Sequence, residues 1–208
     1  MDIQTYKKTA GKTCLFVYLK NDTPTDELIT SSVKSYLGND VSVMIKRQPK
    51  GKPYVFAPIG VYGSVTHSGD YCLIALSDRE IGVDLQIHER LRGETDVDST
   101  ERYLKLSKRF FHPKEHSYIE RNVKPNFFEV WCAKESYVKF TGEGIDDNFW
   151  TYSIIPDNIT KLPKAWGKKN VYFEMLDFKK GYTLCLCSEK PTKIKMICCD
   201  EVQNGTMA

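Results

Sequence analysis

The chain reads as α+β, with helices and antiparallel strands in each of two halves, and three observations point there. Short runs rich in β-branched and aromatic residues, bounded by turn signals, occupy residues 13–85. A charged, polar stretch from His88 to Ser99 follows them. Beyond it the apolar period turns helical, and strand-like runs then return as far as Cys198. The break divides the chain into an N-terminal α+β lobe at 1–98 and a C-terminal α+β lobe at 99–208.

In the first half, Thr13 to Leu19 is an apolar strand candidate. Thr23-Pro24-Thr25-Asp26 starts a helix, with proline at its first position, and Gly38 stops it. Val41 to Ile45 alternates like a strand, and Arg47 to Pro53 (RQPKGKP) is a basic turn. Val61–Thr66, Tyr71–Leu76 and Ile81–Leu85 are strands separated by the turn signals Ser68-Gly69-Asp70 and Ser77-Asp78. In the second half, Thr100–Phe111, Pro113–Arg121 and Asn126–Phe140 are helices, the last ended by Gly142. Phe149–Ile155, Val171–Phe178, Tyr182–Cys187 and Ile194–Cys198 are strands.

With 208 residues, 41% of them hydrophobic, the chain can bury a sizeable core without disulfide or metal staples. A net charge of +3 is too small to argue for a nucleic-acid or membrane partner, so any basic site must be a local cluster. The lysines are dispersed, whereas a nucleic-acid surface needs a basic stripe interleaved with aromatics. No apolar run approaches the roughly 18 residues of a membrane span, and the basic N-terminus lacks the apolar stretch of a signal peptide. Seven cysteines, an odd number without C-x-x-C spacing, suit buried thiols in a reducing cytoplasm. Four zinc ligands at sensible spacing cannot be assembled from them.

Three constellations carry chemistry. In Ile81-Gly82-Val83-Asp84-Leu85-Gln86, Asp84 and Gln86 share one face of a strand that should be largely buried. Together they offer oxygens to a hard divalent cation, and Gly82 admits a close approach by a backbone or a ligand. The bland reading of Asp84 is a strand-end turn cap. In Trp131-Cys132-Ala133-Lys134-Glu135-Ser136-Tyr137-Val138-Lys139, the residues Trp131, Glu135 and Lys139 form one helical stripe, with Lys134 one residue round. Its bland reading is a solvated Glu–Lys pair. In the third, the basic turn with Lys46, Arg47 and Lys52 precedes Thr66-His67-Ser68-Gly69, a strand end whose donors suit a phosphate.

Taken in order, GKP, THSG, IGVD, RFFHPKE and WCAKESYVK resemble the 4'-phosphopantetheinyl transferases of the surfactin-synthetase-activating type. Glu135 stands 51 positions after Asp84, close to that family's spacing between its G-[IV]-D and W-x-x-K-E-[AS]-x-x-K motifs. The resemblance runs from about Lys46 to Cys187.

The resemblance implies two similar lobes in one chain, related by a pseudo-two-fold, with coenzyme A at their seam. It implies Mg²⁺-dependent transfer of the phosphopantetheine arm, Mn²⁺ being a possible substitute, to a serine hydroxyl of an apo acyl or peptidyl carrier protein. Adenosine 3',5'-bisphosphate leaves. Asp84, Glu135 and Gln86 become metal ligands, and Glu135 also the general base. Lys134 and Lys139 pair with phosphates or the leaving group, while Lys52, His67, Ser68, Lys46 and Arg47 hold coenzyme A. Glu115 matches a family position, and Lys34 stands in for an arginine of the N-terminal helix. Many members carry glutamate where this chain has Gln86, which lowers the site's charge. A cytoplasmic monomer is expected. The alternative from another class is a non-catalytic coenzyme A-binding partner of a synthase, a reading that Gln86 favours and the intact Asp84, Lys134, Glu135 and Lys139 oppose.

Overall fold

The computed structural model describes residues 12–199, leaving aside positions 39, 48, 50, 52, 57–59, 90–92 and 145–148 and the side chains at 53–56. Its architecture is mixed α+β. In chain order the elements are β1 (Lys12–Leu19), α1 (Thr25–Leu37), β2 (Met44–Arg47), β3 (Pro53–Phe56), β4 (Tyr62–Ser68), β5 (Tyr71–Ser77) and β6 (Ile81–Ile87). They continue with α2 (Asp96–Phe110), α3 (Pro113–Ile119), α4 (Val123–Thr141), β7 (Ala165–Lys168), β8 (Val171–Leu176), β9 (Tyr182–Ser188) and β10 (Lys193–Cys198). No helix among the described residues is long and apolar enough to cross a membrane.

Two four-stranded sheets carry the molecule, ordered β10-β1-β5-β4 and β6-β9-β8-β7, beside a β2–β3 hairpin. Strands exchange between the two halves of the sequence. β6 pairs antiparallel with β9 in the second sheet, and β10 returns to pair in parallel with β1 in the first.

Period-two alternation sorts the strand residues into layers. Phe16, Cys72, Ile74 and Leu76 pack with Ile29, Val33 and Leu37 of α1 on one face of the first sheet. Leu15, Val17, Leu73 and Ala75 point the other way and meet Ile81, Val83, Leu85, Leu184 and Leu186 of the second sheet. The far face of that sheet, including Phe173, Cys185 and Cys187, packs on α4 and its neighbours.

The two sheets also touch along their edge strands β4 and β6, without a backbone ladder. The backbone N–H groups of Val83, Leu85 and Ile87 instead donate to the side-chain oxygens of Ser64, Thr66 and Ser68, at 3.0, 3.1 and 2.9 Å. Every second residue of β4 thus supplies the acceptor that an edge strand otherwise seeks from another backbone.

Several local outcomes differ from the sequence reading: Pro24 is the N-cap of α1 instead of its first residue, α4 begins at Val123 instead of Asn126, and β8 ends at Leu176 instead of Phe178. α2 begins at Asp96 instead of Thr100, because Thr95 and Asp98 form a reciprocal capping box. The strand expected at 41–45 lies at Met44–Arg47, where it pairs with Pro53–Phe56. β7 was not foreseen; it turns into β8 through Lys169 and Asn170, both at positive φ. The strand expected over Phe149–Ile155 does not form; these residues make turns and bends. Their backbone groups are bound by side chains: Ile154 N–H by Glu115 (2.8 Å), Ile154 C=O by the Trp166 indole (2.8 Å) and Tyr152 C=O by Lys134 (2.7 Å).

Candidate active site

Gly82 sets the distance between β6 and α4. A Cβ there would stand 1.9 Å from the Ser136 carbonyl oxygen and 2.4 Å from the Phe140 nitrogen. Any larger residue would push the helix away, so the glycine lets a helix backbone lie directly on the strand. Of the approaches the sequence allowed, that of a backbone is the one realised. A second glycine, Gly69, turns the chain out of β4 at φ 53°, and a Cβ on it would meet the Tyr182 hydroxyl at 2.3 Å.

With α4 this close, Glu135 and Lys139 face Asp84 across the seam. Asp84 is buried, and among the described residues three donors surround its carboxylate. Lys139 Nζ reaches Oδ1 at 2.6 Å, the Thr66 hydroxyl donates to Oδ1 at 3.1 Å, and Gln86 Nε2 donates to Oδ2 at 2.9 Å. The Cys132 thiol donates to the Asp84 backbone carbonyl at 2.9 Å, tying the strand to the helix a second time. Asp84 and Gln86 share a face, as the alternation predicts, and Gln86 points its amide N–H at the aspartate.

Glu135 is 8% exposed, and its Oε1 is buried with no hydrogen-bond partner among the described residues. Burial, reinforced by the nearby Asp84 charge and opposed by Lys139, pushes its pKa up to about 7. An orphaned carboxylate oxygen beside a second carboxylate is costly for folding and suited to receiving a proton or a cation. No group of three or more His, Cys, Asp or Glu side chains among the described residues could hold a metal.

A cleft of about 680 Å³ opens over this cluster, and Tyr103, Phe127, Phe128 and Trp131 make its aromatic wall. A second cleft, about 340 Å³, is lined by Thr25, Arg47, His67, Lys139 and Gly142. His67 and Lys139 line both, so the clefts meet there. Burial, then the charges of Lys139 and Lys20, lower the His67 pKa. Arg47 is held over the second cleft by an ion pair with Asp26 of α1.

The remaining residues singled out from the sequence lie elsewhere. Lys134 is fully buried and points away from the cluster. Its Nζ lies 3.0 Å from Glu115 Oε2, donates to the Tyr152 carbonyl, and sits 4.1 Å from the Tyr152 ring and 4.8 Å from the Phe149 ring. Burial lowers its pKa against the raising influence of Glu115. The expectation that Lys134 faces a phosphate therefore does not match its position. One step along a helix is about 100° of rotation, which carries it into the core. Ser68 commits its hydroxyl oxygen to the Ile87 N–H. Lys46 is exposed on β2, Lys34 is exposed on α1, and Lys52 lies outside the described residues. Sequence reasoning passed over Tyr103, Phe127 and Phe128; a pair of adjacent phenylalanines opening a helix was the available signal.

Comparison with known proteins gives a consistent result. The profile of the 4'-phosphopantetheinyl transferase superfamily matches residues 80–193. A putative 4'-phosphopantetheinyl transferase of Synechocystis sp. is 37% identical over 126 residues, which cover 53% of this chain and 48% of that protein. A 4'-phosphopantetheinyl transferase of Bacillus subtilis is 24% identical over 168 residues, covering 78% of this chain and 70% of its own length. The 4'-phosphopantetheinyl transferase HetI of Nostoc sp. is 34% identical over 127 residues, 57% of this chain and 50% of that protein. The chain thus spans about half the length of two of these relatives.

Proposed function

The chain belongs to the 4'-phosphopantetheinyl transferase superfamily, and from that premise we propose that it transfers the 4'-phosphopantetheine arm of coenzyme A to a serine hydroxyl of an apo acyl or peptidyl carrier protein. Adenosine 3',5'-bisphosphate is the second product. The observation that carries the reading is the meeting of Asp84, Glu135 and Lys139 at the junction of two clefts, with Glu135 Oε1 unpartnered. The division of the chain into two similar lobes, with coenzyme A between them, belongs to the same proposal. The lobes at 1–98 and 99–208 are part of that proposal, and in it β6 pairs with β9 of the second half while β10 pairs with β1 of the first.

The chain's own residues account for the steps. Arg47 and His67 hold the phosphates of the adenosine end in the smaller cleft, with Lys46, Ser68 and Lys52 as further candidates for holding coenzyme A. Lys139 exchanges Asp84 for the pyrophosphate when coenzyme A enters. The serine oxygen attacks the phosphorus on the pantetheine side, and the bond from that phosphorus to the bisphosphate oxygen breaks. Glu135 Oε1 takes the serine proton. The aromatic wall of the larger cleft excludes water and receives the apolar part of the arm or the carrier. Asp84 and Glu135 supply two carboxylates suited to Mg²⁺, with Mn²⁺ as a substitute, and Gln86 an amide oxygen if its side chain turns. Water supplies the remaining oxygens, some of which the coenzyme replaces once it is bound. When bound, the ion supplies charge neutralisation on the pyrophosphate. Lys134 enters this mechanism through the packing of α4. A cytoplasmic monomer suits the reading.

Incubation with coenzyme A, Mg²⁺ and a panel of apo carrier proteins, followed by intact mass, tests it. Gain of one phosphopantetheine on a carrier supports the proposal. Coenzyme A binding without transfer to any carrier supports the non-catalytic partner instead.

A further inference from the structure

Among the described residues Asp84 has three donors, and they are not equivalent. Lys139 and Gln86 reach it with long side chains that lose rotamer freedom in doing so. Thr66 is short, β-branched, and buried within β4. Its hydroxyl is committed at both ends. The oxygen accepts the backbone N–H of Leu85, the residue after Asp84, at 3.1 Å. The single hydroxyl proton is then left for Asp84 Oδ1, also at 3.1 Å. The side chain therefore clamps the main chain of β6 and the carboxylate next to it in one geometry. Ser64 and Ser68 accept N–H groups of β6 in the same way, yet neither has a described bond to a site carboxylate.

We propose that Thr66 is a positioning residue, which fixes the rotamer of Asp84 through this two-ended hydroxyl and so sets the direction in which the carboxylate meets a cation. The inference rests on the transferase reading for its biological meaning, because that reading gives the carboxylate a cation to hold. Seam bonding alone predicts that all three hydroxyls matter equally. Positioning predicts that the middle one differs from its neighbours in kind.

The test uses the whole chain and three variants: Thr66→Val, which keeps the branched shape, Thr66→Ser, which keeps the hydroxyl, and Ser64→Ala, which removes one rung. Mn²⁺ binding is measured by electron paramagnetic resonance without coenzyme A or carrier, alongside thermal unfolding and the coenzyme A dependence of transfer. Thr66→Val should weaken Mn²⁺ about ten-fold, the scale seen when an outer partner of a metal ligand is lost, and lower kcat with little change in KM for coenzyme A. Thr66→Ser should restore both. Ser64→Ala should lower the unfolding midpoint and leave Mn²⁺ affinity unchanged. The inference is overturned if the parent binds no Mn²⁺, if Thr66→Val binds it as the parent does, if Ser64→Ala weakens it equally, or if the loss sits in KM for coenzyme A alone. Absence of transfer by the parent would remove the transferase reading and leave the Mn²⁺ comparison standing.

Discussion

Replacing Glu135 by glutamine should make the protein more stable while abolishing transfer, and the gain should depend on pH. The Glu135 carboxyl ionises at about 7 in the fold, against 4.5 for an unhindered glutamate. Below 4.5 the group is protonated in both folded and unfolded chains and has no effect on the balance. Between 4.5 and 7 the folded chain retains a proton that the unfolded chain releases, so stability falls as pH rises, by about 1.4 kcal/mol per pH unit. Above 7 the full cost, roughly 3 kcal/mol, is in place. Glutamine carries no charge and escapes it. Urea unfolding of parent and Glu135→Gln, in chelator, should show a gain of under ~1 kcal/mol near pH 5 that grows to ~3 kcal/mol near pH 8. A stability difference that does not change with pH, or a variant weaker than the parent near pH 8, would refute the reasoning that burial beside Asp84 raises this group.

Three further outcomes follow from the packing. Gly82→Ala should cost about 3 kcal/mol or more in thermal unfolding, because the new Cβ collides with the backbone of α4, and should lose transfer with it. A midpoint within a degree of the parent's would contradict that contact. Lys134→Met should destabilise by about 3–5 kcal/mol, as breaking a buried ion pair does, and Lys134→Met with Glu115→Gln should recover part of the loss. Transfer per folded molecule should persist in the double variant; its absence would return Lys134 to the chemistry. Arg47→Ala and His67→Ala should raise KM for coenzyme A and change kcat little, and an effect on kcat alone would place them elsewhere.

How legible this was depended on whether a signal was local. Asp84 and Gln86 fall on one face by alternation alone, and Trp131, Glu135 and Lys139 on one stripe by helical period, so the two carboxylates and the lysine beside them were readable, while most of the aromatic wall was not. Lys134 adjoins that stripe in sequence, and only the packing of α4 against α3 and the 149–154 turns decides that it faces Glu115. The apolar run from Phe149 to Ile155 has strand composition, but its backbone partners are Glu115, Lys134 and Trp166, 12 to 39 positions from the residues they bind. No short window contains them. The first turn of α2 was different: Thr95 and Asp98 stood in plain view as a cap, and were missed because aspartate occupies the position usual for glutamate. Strand exchange was illegible for the same reason as the turns, since β1 and β10 meet across nearly the whole chain.

That last pairing has a consequence for the order in which the protein is made. As the chain leaves the ribosome, β1, β4 and β5 are available early, but the parallel partner of β1 emerges only with Lys193–Cys198. The second sheet is complete once Ser188 is out. The half synthesised first is therefore finished last, and its strand β1 waits with an open edge while the later half folds. Closing that edge joins residues about 180 positions apart, a slow kind of contact to form. Truncation just before Lys193 would damage the beginning of the molecule rather than its end.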